Sequence, residues 1–273
     1  MLSWRKPSSI RMDTALSVVI PCARPDFRLR CCLEALANQS TPACSYEVIL
    51  VLDGASLPIG LREACNRIEN LSITQTRHCR GRSATRNVGL KLATAPTVVL
   101  LDADMIPCPT LLQEYKRASQ SPKQVVCIGD RVFVEPYKGM RATSTLDFLE
   151  MKARCSAKVD WRLDKIYRKT RNLESASEPF WAFLTGNCSF PRELGIEIGG
   201  FDEAMKGWGL EDQEFGYRLW KTGRHRFIRL PNALALHIEH PRDLWAEWRS
   251  HWRNRRYMLA KHGDVFERWK KAK

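Results

Sequence analysis

The sequence has no apolar run long enough to cross a lipid bilayer, which takes about 20 predominantly apolar residues in a helix. The first apolar stretch, at 16–22, is too short for the hydrophobic core of a secretory signal, and residues 1–14 are basic and polar. These absences argue against a membrane-spanning or a secreted protein. We therefore expect a cytoplasmic protein in which 1–14 is a flexible basic segment.

Motifs of several common classes are also missing. The ten cysteines include no Cys-x-x-Cys pair and no histidine spacing to match one, which argues against a structural zinc site or a disulfide framework. The sequence contains neither Gly-x-Gly-x-x-Gly nor Gly-Lys-Ser/Thr, so the dinucleotide-binding and P-loop classes lose their main signal. We expect reduced thiols that pack in the core as small apolar side chains.

What the sequence does have is size, ordinary hydrophobicity and a large positive charge. Its 273 residues, 44% of them hydrophobic, can bury a large core. Its net charge of +14 favours polyanionic partners: nucleic acid, anionic lipid or a phosphorylated substrate. No nucleic-acid-binding motif accompanies the charge, so we expect no nucleic-acid partner.

Strand and helix patterns alternate along the first half of the chain. Apolar runs typical of buried strands separate segments with helical spacing; the strands are predicted at 16–21, 46–52, 71–76 and 98–101, and the helices at 26–39, 58–68 and 83–93. This alternation predicts an α/β fold with a doubly wound, mostly parallel central sheet flanked by helices. Ligands of such sheets bind outside the carboxyl ends of the strands.

The strand at 98–101 runs directly into two acids, Asp102 and Asp104, with Ala103 between them. Carboxylates placed together repel, so this pattern favours a divalent cation or a hydrogen-bonding substrate between them, although a solvated loop is the commoner origin of an isolated Asp-x-Asp. Other polar positions are predicted at the same sheet edge, and arginines beside paired acids suit a nucleoside diphosphate. These positions are Pro21, Cys22, Ala23, Arg24, Asp53, Arg82, Arg86 and Asn87.

The second half is less regular. A long helix and a mobile loop are predicted over 141–171, a buried strand at 180–185, a helix at 211–221, and two short strands at 227–230 and 233–236. Glycines flank Trp208, and Glu211 and Asp212 follow at the start of the predicted helix. These acids either complement the helix dipole or form, with the tryptophan, a sugar platform with a base beside it.

Two further features remain open. The last predicted strand ends at His237, with His240 three residues later, and either histidine would complete an oxygen and nitrogen site suited to manganese. The tail, 241–273, is predicted to be a basic helical extension that carries Trp245, Trp248 and Trp252 on one stripe. We favour the interpretation that these tryptophans pack on the body of the protein; the alternative is contact with the inner face of an anionic membrane.

These motifs resemble those of the inverting GT-A glycosyltransferases of family 2, over roughly residues 16–241. The opening turn, the Arg86-Asn87-Val88-Gly89 helix and the Asp102-Ala103-Asp104 motif are similar to the family's nucleotide-binding half. The later motifs resemble the C-terminal module of chondroitin-polymerase-type, polypeptide GalNAc-transferase and β-1,4-galactosyltransferase enzymes. Those motifs are Gly186-Asn187, Gly199-Gly200-Phe201-Asp202 and Gly207-Trp208-Gly209-Leu210-Glu211-Asp212.

The resemblance implies a GT-A domain over 15–240, with a nucleotide-binding half at 15–130 and an acceptor-binding half at 131–240. It implies a catalytic base, Asp212; acceptor contacts from Trp208, Glu211, Gly186 and Asn187; and metal ligands Asp104, His237 and Asp102, with His240 as the alternative histidine. The nucleotide contacts are then Pro21, Cys22, Ala23, Arg24, Asp53, Arg82, Arg86, Asp102 and Ala103.

The expected function is transfer of a sugar from a UDP-sugar to an acceptor hydroxyl with Mn²⁺ or Mg²⁺ bound, with inversion at the anomeric carbon. The acceptor stays open among a glycan, a lipid-linked sugar, a peptide and a small molecule. An aspartate of ordinary acidity would serve as base because the acceptor proton leaves late in the reaction. The alternatives are a non-catalytic nucleotide-sugar-binding protein and a basic polyanion-binding protein.

Overall fold

The computed structural model describes residues 2–5, 14–121 and 124–263. In this part of the chain the strands form one sheet of nine, in the order β1-β4-β3-β2-β5-β8-β7-β9-β6. The strands are β1 (Leu2–Arg5), β2 (Leu16–Cys22), β3 (Tyr46–Asp53), β4 (Leu71–Thr76), β5 (Thr97–Leu101), β6 (Met105–Pro107), β7 (Val125–Val134), β8 (Asn187–Pro191) and β9 (Arg226–Ile238).

Helices cover the sheet on both faces, as predicted for an α/β fold. They are α1 (Phe27–Ala37), α2 (Arg62–Asn66), α3 (Arg82–Leu92), α4 (Leu111–Ser119), α5 (Thr145–Ala153), α6 (Arg192–Glu197), α7 (Glu211–Lys221) and α8 (Leu244–Lys261). Among the described helices, none combines the length and the apolar character needed to span a bilayer.

Four adjacent strands, β4, β3, β2 and β5, run parallel, which confirms the arrangement predicted for the first half. The second half joins the same sheet through β8, which lies antiparallel to both β5 and β7. The boundary between the two predicted halves of the domain, at residue 130, falls inside β7, so the two halves share one sheet. This shared sheet brings residues far apart in sequence to one edge.

Strand β2, which lies between β3 and β5, is buried on both faces of the sheet. On β2, Val18 and Ile20 pack into the apolar cluster on one side, and Val19 packs into the cluster on the other. Successive side chains of a strand point to opposite faces, so an uninterrupted apolar run fills both layers. The same alternation explains why the first strands could be recognised from the sequence.

Three predictions in the second half are wrong in detail. The buried strand predicted at 180–185 is a 3₁₀ turn, Pro179–Ala182, and the strand that follows it is β8. The turn begins at a proline, and Phe180 packs edge-on to Tyr217 of α7 with ring centroids 5.3 Å apart. A short apolar run does not by itself distinguish a strand from a buried turn.

The long helix predicted over 141–171 is also absent. Only α5 and one turn of π-helix at Leu163–Tyr167 form there, because Ser144 and Asp147 make a capping box that starts α5 and a buried ion pair between Asp160 and Arg162 fixes the chain further on. The two short strands predicted at 227–236 are one strand, β9, with a shift in register opposite Gly129 and Asp130 of β7.

Several smaller differences concern the ends of elements. The helix predicted at 58–68 is a 3₁₀ turn, Ile59–Leu61, followed by α2. Within the segment predicted to be flexible, Leu2–Arg5 pairs antiparallel with β4, while residues 1 and 6–13 lie outside the described residues. All ten cysteines are free thiols, and seven of them are buried, as expected for core packing.

Close packing of α3 on β2 depends on Gly89, because a Cβ built there would lie 2.1 Å from Cγ1 of Val19. We expect Gly89→Ala to lower the free energy of unfolding by about 1–3 kcal/mol through overpacking, which outweighs the better helix propensity of alanine. Urea denaturation measures the change.

Gly60→Ala is the matched control, since a Cβ at Gly60 meets no atom within 4 Å. The Val19→Ala change should recover part of the loss in the Gly89→Ala background. Equal stability of the two glycine variants would contradict the packing argument.

Candidate active site

A cavity of about 720 Å³ opens beyond the carboxyl ends of β2, β3 and β5. All nine residues predicted to contact a nucleotide line it. Of the other predicted site residues, Asp104, Trp208 and His240 line it too, whereas Gly186, Asn187, Glu211, Asp212 and His237 are not among its lining residues. The residues predicted to lie at this edge of the sheet therefore line one cavity.

Asp104 forms the most concentrated group of possible metal ligands. Its Oδ2 lies 3.2 Å from Nε2 of His240 and 3.8 Å from Nε2 of His237. One ligand atom from each of these three side chains lies within 4.8 Å of the others. The two histidines, offered as alternatives by the sequence, thus belong to one cluster.

Strand pairing assembles this cluster. The chain leaves β5 at Leu101, turns through Asp102 and Asp104, and enters β6, where Met105 pairs with His237 of β9. The backbone amide of Ile238 donates to the carbonyl oxygen of Asp104 at 2.9 Å. The two acids reach the cavity through this turn.

The electrostatics of the cluster fit a cation. Burial would raise the pKa of Asp104, but the hydrogen bond from His240 and the nearby positive charges outweigh it and hold that pKa below its usual value. Burial lowers the pKa of His237, which favours the neutral imidazole that binds metals. Oδ1 of Asp104 and Nδ1 of His237 are buried without a hydrogen bond to any described residue. An oxygen and two ring nitrogens suit Mn²⁺.

Asp102 does not join this cluster in the structure. Its Oδ1 accepts a hydrogen bond from Nη2 of Arg86 at 3.2 Å. Its place among metal ligands remains a prediction, and its visible contact is with the arginine. Gly186 allows that position, because a Cβ there would lie 3.2 Å from Oδ2 of Asp102.

Arg86 is the link between the cavity and α7. It is buried, and its Nη1 lies 3.3 Å from Oε1 of Glu211 and 3.9 Å from Oδ1 of Asp212. Burial alone would lower the pKa of Arg86, but the charges of Asp102, Asp212 and Glu211 raise it above its usual value. One guanidinium therefore serves three carboxylates.

Arg86 lies farther from Asp212 than from Asp102 and Glu211. Its Oδ2 accepts a hydrogen bond from the amide of Thr185 at 3.3 Å, while its buried Oδ1 makes no hydrogen bond with a described residue. Burial, followed by repulsion from Glu211, raises the pKa of Asp212 to about 8, against the opposing effect of Arg86. The sequence-based expectation of ordinary acidity is not what this environment produces.

The loop before α7 holds Trp208 at the cavity. Gly207 and Gly209 have φ angles of +76° and +100°, and Leu210 at +69° shares the left-handed region, where a bulky residue costs about 1–3 kcal/mol. Oγ of Ser250 on α8 accepts from the amide of Trp208 at 3.1 Å and donates to its carbonyl oxygen at 3.0 Å. Helix α8 therefore fixes the conformation of this strained loop.

Two predicted ligand contacts have their polar atoms engaged by the protein. Each carboxylate oxygen of Asp53 accepts two hydrogen bonds, from Thr76 and the 79–81 loop, which lowers the pKa of this group despite burial. The amide nitrogen of Asn187 donates to the carbonyls of Asp130 and Ala233, and its oxygen accepts from Tyr115. The side-chain polar atoms of Asn187 are thus engaged within the sheet, and its predicted contact with an acceptor stays a prediction.

Other residues of the cavity wall were not predicted from the sequence. Asp26 caps the N-terminus of α1 and forms a bidentate ion pair with Arg28. Both residues line the cavity. Further along the chain the wall includes Arg242, Asp243, Ala246, Glu247, Ser250 and Arg253. The only signal for the later set was the basic, helical character of the tail.

The fold and the site define an α/β domain of the GT-A type, with a candidate cation site and a cavity of about 720 Å³ at the carboxyl ends of its parallel strands. The family profile described as Glycosyl transferase family 2 matches residues 17–184. A second profile, described as the N-terminal domain of galactosyltransferase, matches residues 169–241. The chain belongs to glycosyl transferase family 2, which confirms the predicted family.

Individual proteins show the same likeness. The chain is 32% identical over 246 residues to chondroitin synthase of Escherichia coli, covering 83% of this chain and 35% of that protein. It is 31% identical over 242 residues to hyaluronan synthase of Pasteurella multocida, covering 83% of this chain and 25% of that protein. The chain therefore spans about a third or less of the length of these relatives.

Solved structures support the fold. The structure of Staphylococcus aureus TarS 1–349 in complex with UDP superposes with a TM-score of 0.63 at 19% sequence identity. The superposition covers 87% of this chain and 64% of that one. At this level of identity the likeness shows the shared GT-A fold.

The histidine cluster predicts direct binding of Mn²⁺. His237→Ala and His240→Ala should each weaken Mn²⁺ binding about tenfold or more, because each removes one of three ligands. Electron paramagnetic resonance of free Mn²⁺ during titration measures the affinity. His225→Ala, a histidine outside the cluster, is the control and should bind normally. Unchanged affinity of the His240→Ala variant would leave His237 as the sole histidine ligand.

The raised pKa of Asp212 predicts a pH-dependent stability. A carboxyl group whose pKa is higher in the folded state lowers stability as pH rises from its unfolded pKa, near 4, to its folded pKa, about 8. Asp212→Asn should therefore become increasingly more stable than the wild type between pH 5 and pH 8, by up to about 1.4 kcal/mol per pH unit.

Urea unfolding at both pH values measures this difference. Asp53→Asn is a control of opposite sign, because the lowered pKa of Asp53 means that its charge stabilises the fold at neutral pH. A constant difference between Asp212→Asn and wild type across the range would show that Asp212 has an ordinary pKa.

Proposed function

We propose that the protein transfers a sugar from a UDP-sugar to an acceptor hydroxyl, with inversion at the anomeric carbon and a divalent cation bound at Asp104, His237 and His240. The observation that carries the proposal is the ion cluster around Arg86. It joins Asp102, on the wall of the cavity, to Asp212, at the start of α7. A donor site and a candidate base are thereby held a fixed distance apart.

The nucleotide end of the donor suits the cavity chemically. Arg24, Arg28 and Arg82 line it, and Arg82 opens α3, whose first backbone amides favour an anion. A cation at the histidine cluster would add positive charge to neutralise the diphosphate as it leaves. Asp53 would act on the nucleotide mainly by fixing the 79–81 loop, since that loop occupies its oxygens.

The chain's own base for the reaction would be Asp212. The acceptor oxygen forms a bond to the anomeric carbon while the bond from that carbon to the diphosphate oxygen breaks, and the hydroxyl proton passes to Asp212. Its buried Oδ1, which accepts no hydrogen bond from a described residue, is an available acceptor atom, and a pKa of about 8 lies close to a neutral working pH. Trp208, 39% exposed on the cavity wall, offers an apolar ring against which a sugar can stack.

The relatives support a glycan as the acceptor. Chondroitin synthase and hyaluronan synthase are named for polysaccharides, and the arginines of the cavity would also attract an acidic chain. The polysaccharide end is therefore the first acceptor class to test, ahead of a lipid-linked sugar or a peptide.

The activity can be tested without a known acceptor by incubating the protein with a panel of UDP-sugars and Mn²⁺ and measuring the UDP that is released. Asp212→Asn should reduce turnover of the accepted donor by about 10²–10⁴-fold, because it removes the base, while UDP still binds with Mn²⁺.

Asp164→Asn is the matched control, since Asp164 is exposed and its substitution should leave turnover unchanged. Near-normal turnover by Asp212→Asn would remove Asp212 from the mechanism. Binding of UDP by the wild type, with no donor turned over, would favour the non-catalytic alternative.

A further inference from the structure

Helix α8 has two faces of opposite character. Its inner face packs on the protein through Ser250, Asn254 and Met258, which are 7%, 1% and 0% exposed. The tryptophans lie on the other side: Trp245, Trp248 and Trp252 are 64%, 53% and 44% exposed, and Leu244 beside them is 69% exposed. The interpretation that these tryptophans pack on the body is therefore wrong.

The exposed rings form a continuous apolar surface, which we call the tryptophan face (Leu244, Trp245, Trp248 and Trp252). The rings of Trp245 and Trp248 stack with their centroids 5.1 Å apart and their planes 9° apart. The ring of Trp252 meets that of Trp248 edge-on, with centroids 6.2 Å apart. An exposed apolar patch of this kind marks an interaction surface more often than an accident of folding.

Positive charge surrounds the tryptophan face. Arg249 and Arg256 are exposed, stand seven residues apart on one side of the helix, and form no ion pair with another described residue. Arg255 lies 5.2 Å from the ring of Trp252. The one acid of α8, Glu247, is on the cavity side and pairs with Arg242. The partner of this face is therefore expected to combine apolar and negatively charged groups.

We propose that the tryptophan face docks on a lipid surface that carries anionic headgroups. Tryptophan rings favour the boundary between headgroups and acyl chains, and arginines beside them contact the headgroup phosphates and carboxylates. This proposal stands independently of the glycosyl transfer proposed above, which uses the opposite face of α8.

Two other partners fit less well. A symmetric contact between two copies of the chain would bring the same arginines of both copies together, and these like charges would repel. A sugar chain stacks on the flat face of an aromatic ring, but Trp245 and Trp248 cover a face of each other. A lipid surface needs neither open ring faces nor a complementary acid on a second copy.

Flotation with lipid vesicles tests the proposal. The wild-type chain should bind vesicles of phosphatidylcholine with phosphatidylglycerol, bind phosphatidylcholine alone much less, and show a blue shift of tryptophan fluorescence on binding. Trp245→Ser with Trp248→Ser should weaken binding about tenfold or more through lost apolar burial. Arg249→Gln with Arg256→Gln should weaken it about thirtyfold, the effect of two charges near an anionic surface.

Matched controls distinguish an effect of the tryptophan face from a general effect of removing exposed tryptophans or positive charges. Trp161→Ser removes an exposed tryptophan elsewhere, and Arg117→Gln with Arg168→Gln removes two exposed charges outside α8. Both controls should bind vesicles like the wild type, and the tryptophan variants should keep wild-type release of UDP from donor in solution.

Several outcomes would overturn the proposal. They are absence of vesicle binding by the wild type, equal losses in the controls, and a dimer in sedimentation velocity that Trp245→Ser with Trp248→Ser dissociates. The last would assign the face to a second copy of the chain.

Discussion

The buried guanidinium of Arg86 is the interaction on which the arrangement of this site depends. It is 2% exposed and lies between Asp102, which follows β5, and the two acids that begin α7. Removing one partner from a buried ion pair costs about 3–5 kcal/mol, because it leaves an uncompensated charge. The α3 helix, the end of β5 and the start of α7 are thus held in one geometry by electrostatics.

The same cluster explains the unusual acidity of Asp212. Three carboxylates face one guanidinium, so full ionisation would leave an excess of negative charge in a buried place. Oε1 of Glu211 accepts a hydrogen bond from Arg86 at 3.3 Å, and its Oε2 accepts one from the amide of Gly209 at 2.9 Å. Asp212, with a single backbone donor, retains its proton to higher pH. A buried carboxyl group with a raised pKa lowers the stability of the folded protein at neutral pH, and groups with such shifted pKa values are concentrated at functional sites.

The parts of the fold that sequence patterns could predict are those governed by local periodicity. Buried strands of the first half and the amphipathic α3 follow from the spacing of apolar residues. The cluster of Asp104 with the two histidines depends on pairing between β6 and β9, which are more than a hundred residues apart. The sequence could therefore name His237 and His240 as candidates from their place after a predicted strand, but local patterns could not show that both lie beside Asp104. The side-chain hydrogen bonds of Asn187 could not be predicted for a related reason: its partners lie on β7, on α4 and on β9, far from it in the sequence.

Helix α8 shows why residue type alone did not predict which of its faces packs on the protein. Aromatic side chains are usually the ones that bury, yet α8 approaches a loop whose glycines leave no room for large groups. A Cβ at Gly207 would lie 2.7 Å from Cβ of Ser250, and one at Gly209 would lie 2.9 Å from His251. The helix places the small Ser250 at this close approach and Asn254 against the same loop, and the tryptophans lie on its other side. Both family profiles end by residue 241, yet α8 supplies part of the cavity wall and the hydrogen bonds that hold Trp208. Helix α8 therefore forms part of the candidate site, although neither family profile extends to it.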